Sequence, residues 1–215
     1  MDMACFVTFE GPEGSGKTTQ VKMIAELLKQ KSIPHVATEE PGGTPLGIKI
    51  REVLLSHQSF SITPLAELFL FQAARCQHVE TIIRPALQEN KIVLCDRFTD
   101  ATVAYQGAGR GLDKEIIRQL NNLATLSLRP DKTFFFDIPV AEGIKRALDR
   151  MNGEALSLRE DRFENEALQF HQRVRNEYLS LAQAEPKRFI MIDATKGIEE
   201  LHHEIWGHLC SWIEG

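Results

Sequence analysis

The run Gly11-Pro12-Glu13-Gly14-Ser15-Gly16-Lys17-Thr18-Thr19 follows the apolar stretch Cys5-Phe6-Val7-Thr8-Phe9. It fits G-x-x-x-x-G-K-[ST] between a strand pattern and a helix pattern, the setting in which such a loop cradles phosphate. Glycines let the backbone fold back so that successive N–H groups point at phosphate oxygens, and the N-terminus of the next helix favours the same negative charge. Lys17 then serves the β and γ phosphates and the Thr18 hydroxyl holds Mg²⁺. Gly11, Glu13, Gly14, Ser15, Gly16 and Thr19 complete a loop expected to bind a nucleoside triphosphate.

Downstream, strand-length apolar runs alternate with amphipathic stretches. The strand candidates are Phe6 to Phe9, Val36 to Thr38, Ile92 to Cys95, Thr133 to Phe136 and Phe189 to Ile192. Between them lie helical patterns over Gln20 to Lys31, Pro64 to Asn90 and Glu164 to Ala184. Phe134, Phe135 and Phe136 show no period-two alternation, which predicts a strand buried on both faces. The pattern predicts an α/β chain with the three-layer P-loop NTPase fold, a doubly wound parallel sheet of about five strands with helices on both faces. Pro85 is expected to kink or interrupt the long Pro64 to Asn90 helix. An acid closes each strand run: Glu10, Glu39-Glu40, Asp96, Asp137 and Asp193. In a parallel sheet these share one rim, where ligands bind, so the set predicts a site rimmed by Mg²⁺-compatible and ribose-compatible groups. Asp137 alone is read as a turn or cap residue.

With 215 residues and neither a repeat nor a linker, the chain is expected to form one domain over 1–215. A net charge of −5 and a pI near 5.8 argue against a nucleic-acid partner. No apolar run approaches the ~18 residues that span a bilayer, and Asp2 stands where a signal peptide would be basic. The expected compartment is the cytoplasm, with no membrane partner. Cys5, Cys76, Cys95 and Cys210 are too far apart for a metal or redox pair; Cys5 and Cys95 read as small buried hydrophobes. His202, His203 and His208 lie among glutamates on a helical pattern and read as a solvated face.

The phosphate loop alone leaves GTPases, transport ATPases, partitioning ATPases and small-molecule kinases open. A regulatory GTPase needs D-x-x-G, which is absent, and Asn90-Lys91-Ile92-Val93 lacks the aspartate that reads guanine. In their place stand Asp96-Arg97-Phe98 and Ala104-Tyr105-Gln106-Gly107-Ala108-Gly109-Arg110-Gly111. Glu40-Pro41-Gly42-Gly43-Thr44 and Phe71-Gln72-Ala73-Ala74-Arg75 lie upstream of them. In this order the motifs closely resemble thymidylate kinase over essentially the whole chain. A loop with Glu13 and no arginine resembles the bacterial type.

The resemblance implies transfer of the γ-phosphoryl of ATP to dTMP, and it implies a homodimer. It assigns Phe71 to stacking on thymine and Arg75 to a pyrimidine carbonyl. Thr102 and Gln106 match positions that read the base edge, and Tyr105 matches the aromatic beneath the sugar. Arg97 and Arg51 match the clamp on the acceptor phosphate. Glu13 matches the carboxylate near the sugar 3′-hydroxyl, Asp96 the one near Mg²⁺, and Glu40 with Pro41 the substrate-side turn. The segment 146–163 resembles a mobile lid that carries the catalytic arginine a loop of this type lacks. Arg150 ranks first for that role, Arg162 next, with Arg159 also a candidate, while Arg146 is expected against adenine. The chain departs from most bacterial relatives at Glu39, where an arginine usually stands. The apolar residues Leu68, Phe69, Leu70, Val79 and Ile83 in the Pro64 to Asn90 stretch suggest that a second subunit covers one face.

Overall fold

In the computed structural model, residues 4–55, 60–151, 162–163 and 166–213 are described. Three runs that are apolar almost without a break become the central strands: β1 (Cys5–Glu10), β3 (Ile92–Asp96) and β4 (Lys132–Asp137). The outer strands, β2 (His35–Glu39) and β5 (Phe189–Asp193), alternate with solvent, as sheet edges do. All five are parallel in the order β2-β3-β1-β4-β5. Strand β1 thus lies at the point where the chain switches from building one half of the sheet to building the other, and its carboxyl end opens into a crevice.

Helices cover both faces. Helix α1 (Lys17–Gln30) buries Val21, Ile24 and Leu28, one stripe at helical spacing. The carboxyl-terminal helix α9 (Ile198–Ile213) buries Leu201, Ile205 and Leu209 in the same way. Both stripes meet Phe9, Phe134 and Phe136. On the opposite face Phe135 packs against Phe170, Val174 and Tyr178 of α8 (Leu168–Ala184). The three consecutive phenylalanines therefore divide between the two sides of the sheet, as their lack of alternation predicts.

The remaining helices are α2 (Pro45–Leu55), α3 (Pro64–His78), α4 (Arg84–Gln88), α5 (Thr99–Thr102), α6 (Lys114–Thr125) and α7 (Val140–Met151). The effect of Pro85 is visible. Helix α3 widens into a π-helical turn at Val79–Ile83, and α4 restarts with Pro85 in its first turn, where a missing N–H leaves no bond unmade. A second π-helical stretch, Val103–Gly109, extends α5. Cys95 is buried as expected, whereas Cys5 at the start of β1 is only half-buried. Of the carboxyl-terminal histidines, His203 is exposed, whereas His202 and His208 are half-buried and His208 packs against Phe134 and Trp212.

Candidate active site

Strand β1 runs into the phosphate loop, and the loop turns straight into α1 at Lys17. Two glycines are required by space as well as by torsion. At Gly11 (φ +142°) a Cβ would lie 2.5 Å from the Phe136 carbonyl oxygen; at Gly14 (φ +67°) it would lie 2.0 Å from that of Gly143. Lys17 is buried, and its Nζ donates to the Pro12 carbonyl at 2.7 Å and to Ser15 Oγ at 3.0 Å. Burial and the nearby Arg97 guanidinium push its pKa down to about 8, against the pull of Asp96, Glu13 and Glu10. The Thr18 hydroxyl donates to Asp96 Oδ2.

The parallel register pairs Phe9 with Asp96, so the Asp96-Arg97-Phe98 turn leaves the sheet beside the loop. Arg97 has φ +68°, an unusual conformation for a residue with a side chain. Two bonds hold it there. Arg97 N donates to the Phe9 carbonyl at 3.0 Å, and Phe98 N donates to Glu10 Oε1 at 2.7 Å. The guanidinium reaches back across the crevice, giving Nη1 to Gly11 O and Nη2 to Glu13 Oε1, each at 2.9 Å, and sits 4.9 Å from the centre of the Tyr105 ring. Tyr105 in turn donates its hydroxyl to Glu13 Oε2. Burial opposes charge on Glu13, but Arg97, Lys17 and the Tyr105 hydroxyl outweigh it and hold the carboxyl below its ordinary value.

Farther from the loop, Arg75 on α3 is 2 % exposed and held on three sides. Its Nε donates to Glu40 Oε2 at 2.7 Å, Nη1 to Asn121 Oδ1 at 2.8 Å and Nη2 to the Phe98 carbonyl at 3.0 Å. His78 shares Glu40 from the other side, with Nδ1 2.9 Å from Oε1. Burial disfavours the charged Glu40, yet Arg75 and His78 keep its carboxyl below the ordinary range. The Glu40–Pro41 peptide is cis, and the Pro41 carbonyl accepts from Arg51 Nη1 at 2.9 Å. Glu39, the charge-reversed position, lies 3.2 Å from the same Arg51 nitrogen.

These groups line one cleft of about 430 Å³. Its loop end is formed by Glu13, Gly14, Ser15, Gly16, Lys17, Thr18 and Thr19; Asp96, Arg97 and Arg51 stand across from them. Its far end carries Glu40, Pro41, Phe71, Arg75, Thr102, Tyr105 and Gln106, with Leu55 and Phe163 adding apolar wall. Arg150 also faces this cleft. The expected site residues thus converge, with three exceptions. Gly11 lies against β4 beneath the loop. Arg146 donates to the Ala194 carbonyl at 2.8 Å and pairs with Glu142. Arg162, expected among the catalytic arginines, pairs with Glu67 and donates to the Leu54 carbonyl at 3.0 Å, away from the cleft lining. Arg159 and positions 152–161 lie outside the described residues.

The row of rim acids is corrected by the structure. Glu10 is fully buried and accepts from Phe98 N and from the Tyr178 hydroxyl at 2.8 Å. Burial, and Asp100 in the same direction, push its carboxyl up to about 7 against Arg97 and these donors. Asp137 pairs with Arg175 through both oxygens, and Asp193 accepts from Thr195. Only Glu39, Glu40 and Asp96 of that row reach the cleft. Glu10 and Asp137 take partners from distant segments, while Asp193 caps its own turn through Thr195. Sequence reading also missed Glu67, His78, Asn121 and Tyr178, which hold cleft residues without lining the cleft. No local signal marks them, because each acts through a contact made only on folding.

A phosphate loop facing a second arginine-lined anion site, with an aromatic and amide-lined recess beyond, defines a P-loop protein that brings two phosphorylated ligands together. The chain matches the family model described as Thymidylate kinase over residues 9–205. It is 54% identical over 198 residues to the thymidylate kinase of Geotalea uraniireducens (strain Rf4), covering 92% of each chain. It is 51% identical over 207 residues to that of Syntrophus aciditrophicus (strain SB), covering 96% of this chain and 94% of the relative. The crystal structure of thymidylate kinase from Ehrlichia chaffeensis superposes with a TM-score of 0.72 at 36% identity, covering 95% of this chain and 98% of that one. The chain belongs to the thymidylate kinase family.

The depressed Lys17 amine gives a testable consequence. A lysine whose pKa lies near 8 in the free protein is largely neutral at pH 8.5, and phosphate oxygens beside it favour the charged form. Nucleotide binding at that pH therefore takes up a proton. Calorimetry of ADP binding in buffers of different ionisation enthalpy reads this uptake directly, and Lys17→Met should abolish it.

Proposed function

We propose that the chain transfers the γ-phosphoryl of ATP to dTMP, giving ADP and dTDP. The observation that carries this reading is the shared cleft: the phosphate loop and the Phe71, Arg75 and Gln106 recess open onto the same space, with Arg97 between them. No covalent intermediate is needed. The protein holds donor and acceptor in line and offsets charge on the transferring group.

Each residue has a physical task in this reading. Loop N–H groups and Lys17 bind the donor phosphates. Arg97 and Arg51 present guanidinium forks to the acceptor phosphate. Phe71 stacks on the pyrimidine, Arg75 donates to its carbonyl, and Thr102 and Gln106 read the remaining edge. Tyr105, whose hydroxyl bonds Glu13, is assigned to packing beneath the sugar and excluding a 2′-hydroxyl, and Glu13 is assigned to the 3′-hydroxyl. The adjoining Thr18 hydroxyl and Asp96 carboxylate are hard oxygen donors suited to Mg²⁺, which usually takes one or two protein ligands and fills the rest with phosphate and water. Held there, Mg²⁺ would supply positive charge to the donor phosphates. Arg150 faces the cleft and is the arginine assigned to the transferring group; Arg146 is assigned to adenine by cation–π stacking. The segment 146–163 is read as the lid over a single catalytic unit.

The active form is read as a homodimer in the cytoplasm. Helices α2 and α6 flank α3, and all three leave large apolar side chains exposed: Ile48, Leu65, Phe69 and Leu123 among them. Of the residues singled out in sequence, Leu68, Val79 and Ile83 are instead buried within the subunit, and Phe69, 52 % exposed, is the one that asks for outside cover. Among the described residues no helix is long and apolar enough to cross a membrane.

Three measurements test this reading. With ATP and Mg²⁺, a panel of nucleoside monophosphates should give dTMP the highest kcat/KM, with UMP and CMP lower by factors on the order of 10⁴; equal efficiency with UMP defeats it. Arg150→Ala should lower kcat by roughly 10³ while changing the KM for dTMP far less. In sedimentation at micromolar concentration the protein should run as a dimer, and Phe69→Asp should shift it to monomer.

A further inference from the structure

Helix α3 carries Glu67, Phe71 and Arg75 at successive spacings of four, so the three lie on one stripe. Phe71 and Arg75 line the cleft and Glu67 does not. Yet Glu67 is fully buried, and donors come to it from two distant segments. Its Oε1 accepts from Gln106 Nε2 at 2.8 Å and from Arg110 Nε at 3.3 Å; its Oε2 accepts from Arg162 Nη2. Arg110 is fixed in turn by Glu166 at 2.5 Å and by the Phe163 and Phe170 rings. So elaborate a set of partners around one carboxylate goes beyond what balancing a buried charge requires, because one of them, Gln106, is a neutral amide that lines the cleft.

The two ends of a glutamine amide are alike in shape and opposite in hydrogen bonding. Which end faces a ligand is decided by what binds the other end. A carboxylate only accepts, so Gln106 must turn its NH₂ toward Glu67 and its carbonyl oxygen the other way. Arg75 is constrained to the complementary role. Its Nε, Nη1 and one Nη2 hydrogen are taken by Glu40, Asn121 with Gln72, and Phe98 O, which leaves one Nη2 hydrogen to give. A donor from Arg75 and an acceptor from Gln106 match a pyrimidine with a 4-oxo group and a hydrogen on N3. Cytosine carries the reverse pattern, an amine at C4 and an acceptor at N3.

We propose that Glu67 is a positioning residue for base selection, acting through Gln106: it fixes the amide as an acceptor and so sets the preference for thymine over cytosine. This rests on the reading of the acceptor substrate as dTMP. The test is Glu67→Gln, nearly isosteric, whose amide can accept or donate and no longer dictates how Gln106 turns. The KM for dTMP should rise about tenfold, with kcat and the KM for ATP within about twofold of the parent. The ratio of the dCMP inhibition constant to the dTMP KM should fall by about tenfold or more. Lost packing alone would weaken both nucleotides together and leave that ratio unchanged. In a Gln106→Ala background, where there is no amide to orient, adding Glu67→Gln should shift the ratio less than about twofold. An unchanged ratio in a folded Glu67→Gln protein overturns the proposal, as does an undiminished shift in the Gln106→Ala background. Should Glu67→Gln fail to fold, Glu67→Asp keeps the charge for both arginines but draws the carboxylate away from the Gln106 amide; its ratio must fall, and an unchanged one overturns the proposal. A parent protein inactive on dTMP would instead defeat the substrate reading beneath it, a separate and distinguishable outcome.

Discussion

The pairing of β1 with β3, Phe9 opposite Asp96, is the constraint on which the site depends. It brings two chain segments nearly ninety residues apart to the same height at the rim of the sheet, so that one strand ends in the phosphate loop and its neighbour ends in Asp96-Arg97-Phe98. A slip of one residue would turn Asp96 and Arg97 to opposite faces. The register is locked where it matters: Arg97 donates to the Phe9 carbonyl, and Phe98 donates to the Glu10 side chain. Those two bonds flank a residue with φ +68°, a conformation that costs on the order of 1–3 kcal/mol and persists only where its surroundings impose it. What the strain achieves is direction. It sends the Arg97 guanidinium back over the loop instead of onward along the chain.

Charge is managed by nesting rather than by exposure. Arg75 and Lys17 are buried cations and Arg97 is a half-buried one, and each would be costly to desolvate alone. Glu40 neutralises Arg75, while Glu13 answers Arg97; Lys17, with no carboxylate at bonding distance among the described residues, rests on a carbonyl and a hydroxyl and loses part of its affinity for the proton. Of these three cations the lysine is the one whose charge is least compensated. Beneath the site Glu10, Tyr178, Asp100 and Arg188 form a second tier that meets the first at the backbone of Phe98 and Ala101, the edge of Arg97 and the Tyr105 ring. The upper tier can exchange partners for ligands while the lower one keeps the turn in place.

The far end of the cleft rests on α3. Its stripe sets Phe71 next to Arg75, and carboxylates hold the polar groups around the ring: Arg75 donates to Glu40, and Gln106 donates to Glu67. Preorganisation of this kind removes the rotamer choices that binding would otherwise have to make.

Much of this molecule is legible in its residues one at a time. The loop motif, the uninterrupted apolar runs of β1, β3 and β4, and the helical stripes Val21-Ile24-Leu28 and Leu201-Ile205-Leu209 depend on short-range periodicity and on glycine torsions, which a sequence states directly. The motifs around Arg97 and Tyr105 carry the family resemblance and with it the substrate. Tertiary structure alone decided which acids face the cleft and which are braces: Glu10 and Asp137 follow strand ends just as Asp96 does, yet they end in bonds to Tyr178 and Arg175 from α8. It likewise set Arg150 toward the cleft and Arg162 against Glu67, and it buried Leu68 while leaving Phe69 exposed. The physical reason is common to all of these. Periodicity tells which face of an element is apolar, but a polar side chain takes its role from the partner it meets, and that partner is brought by the fold from far along the chain.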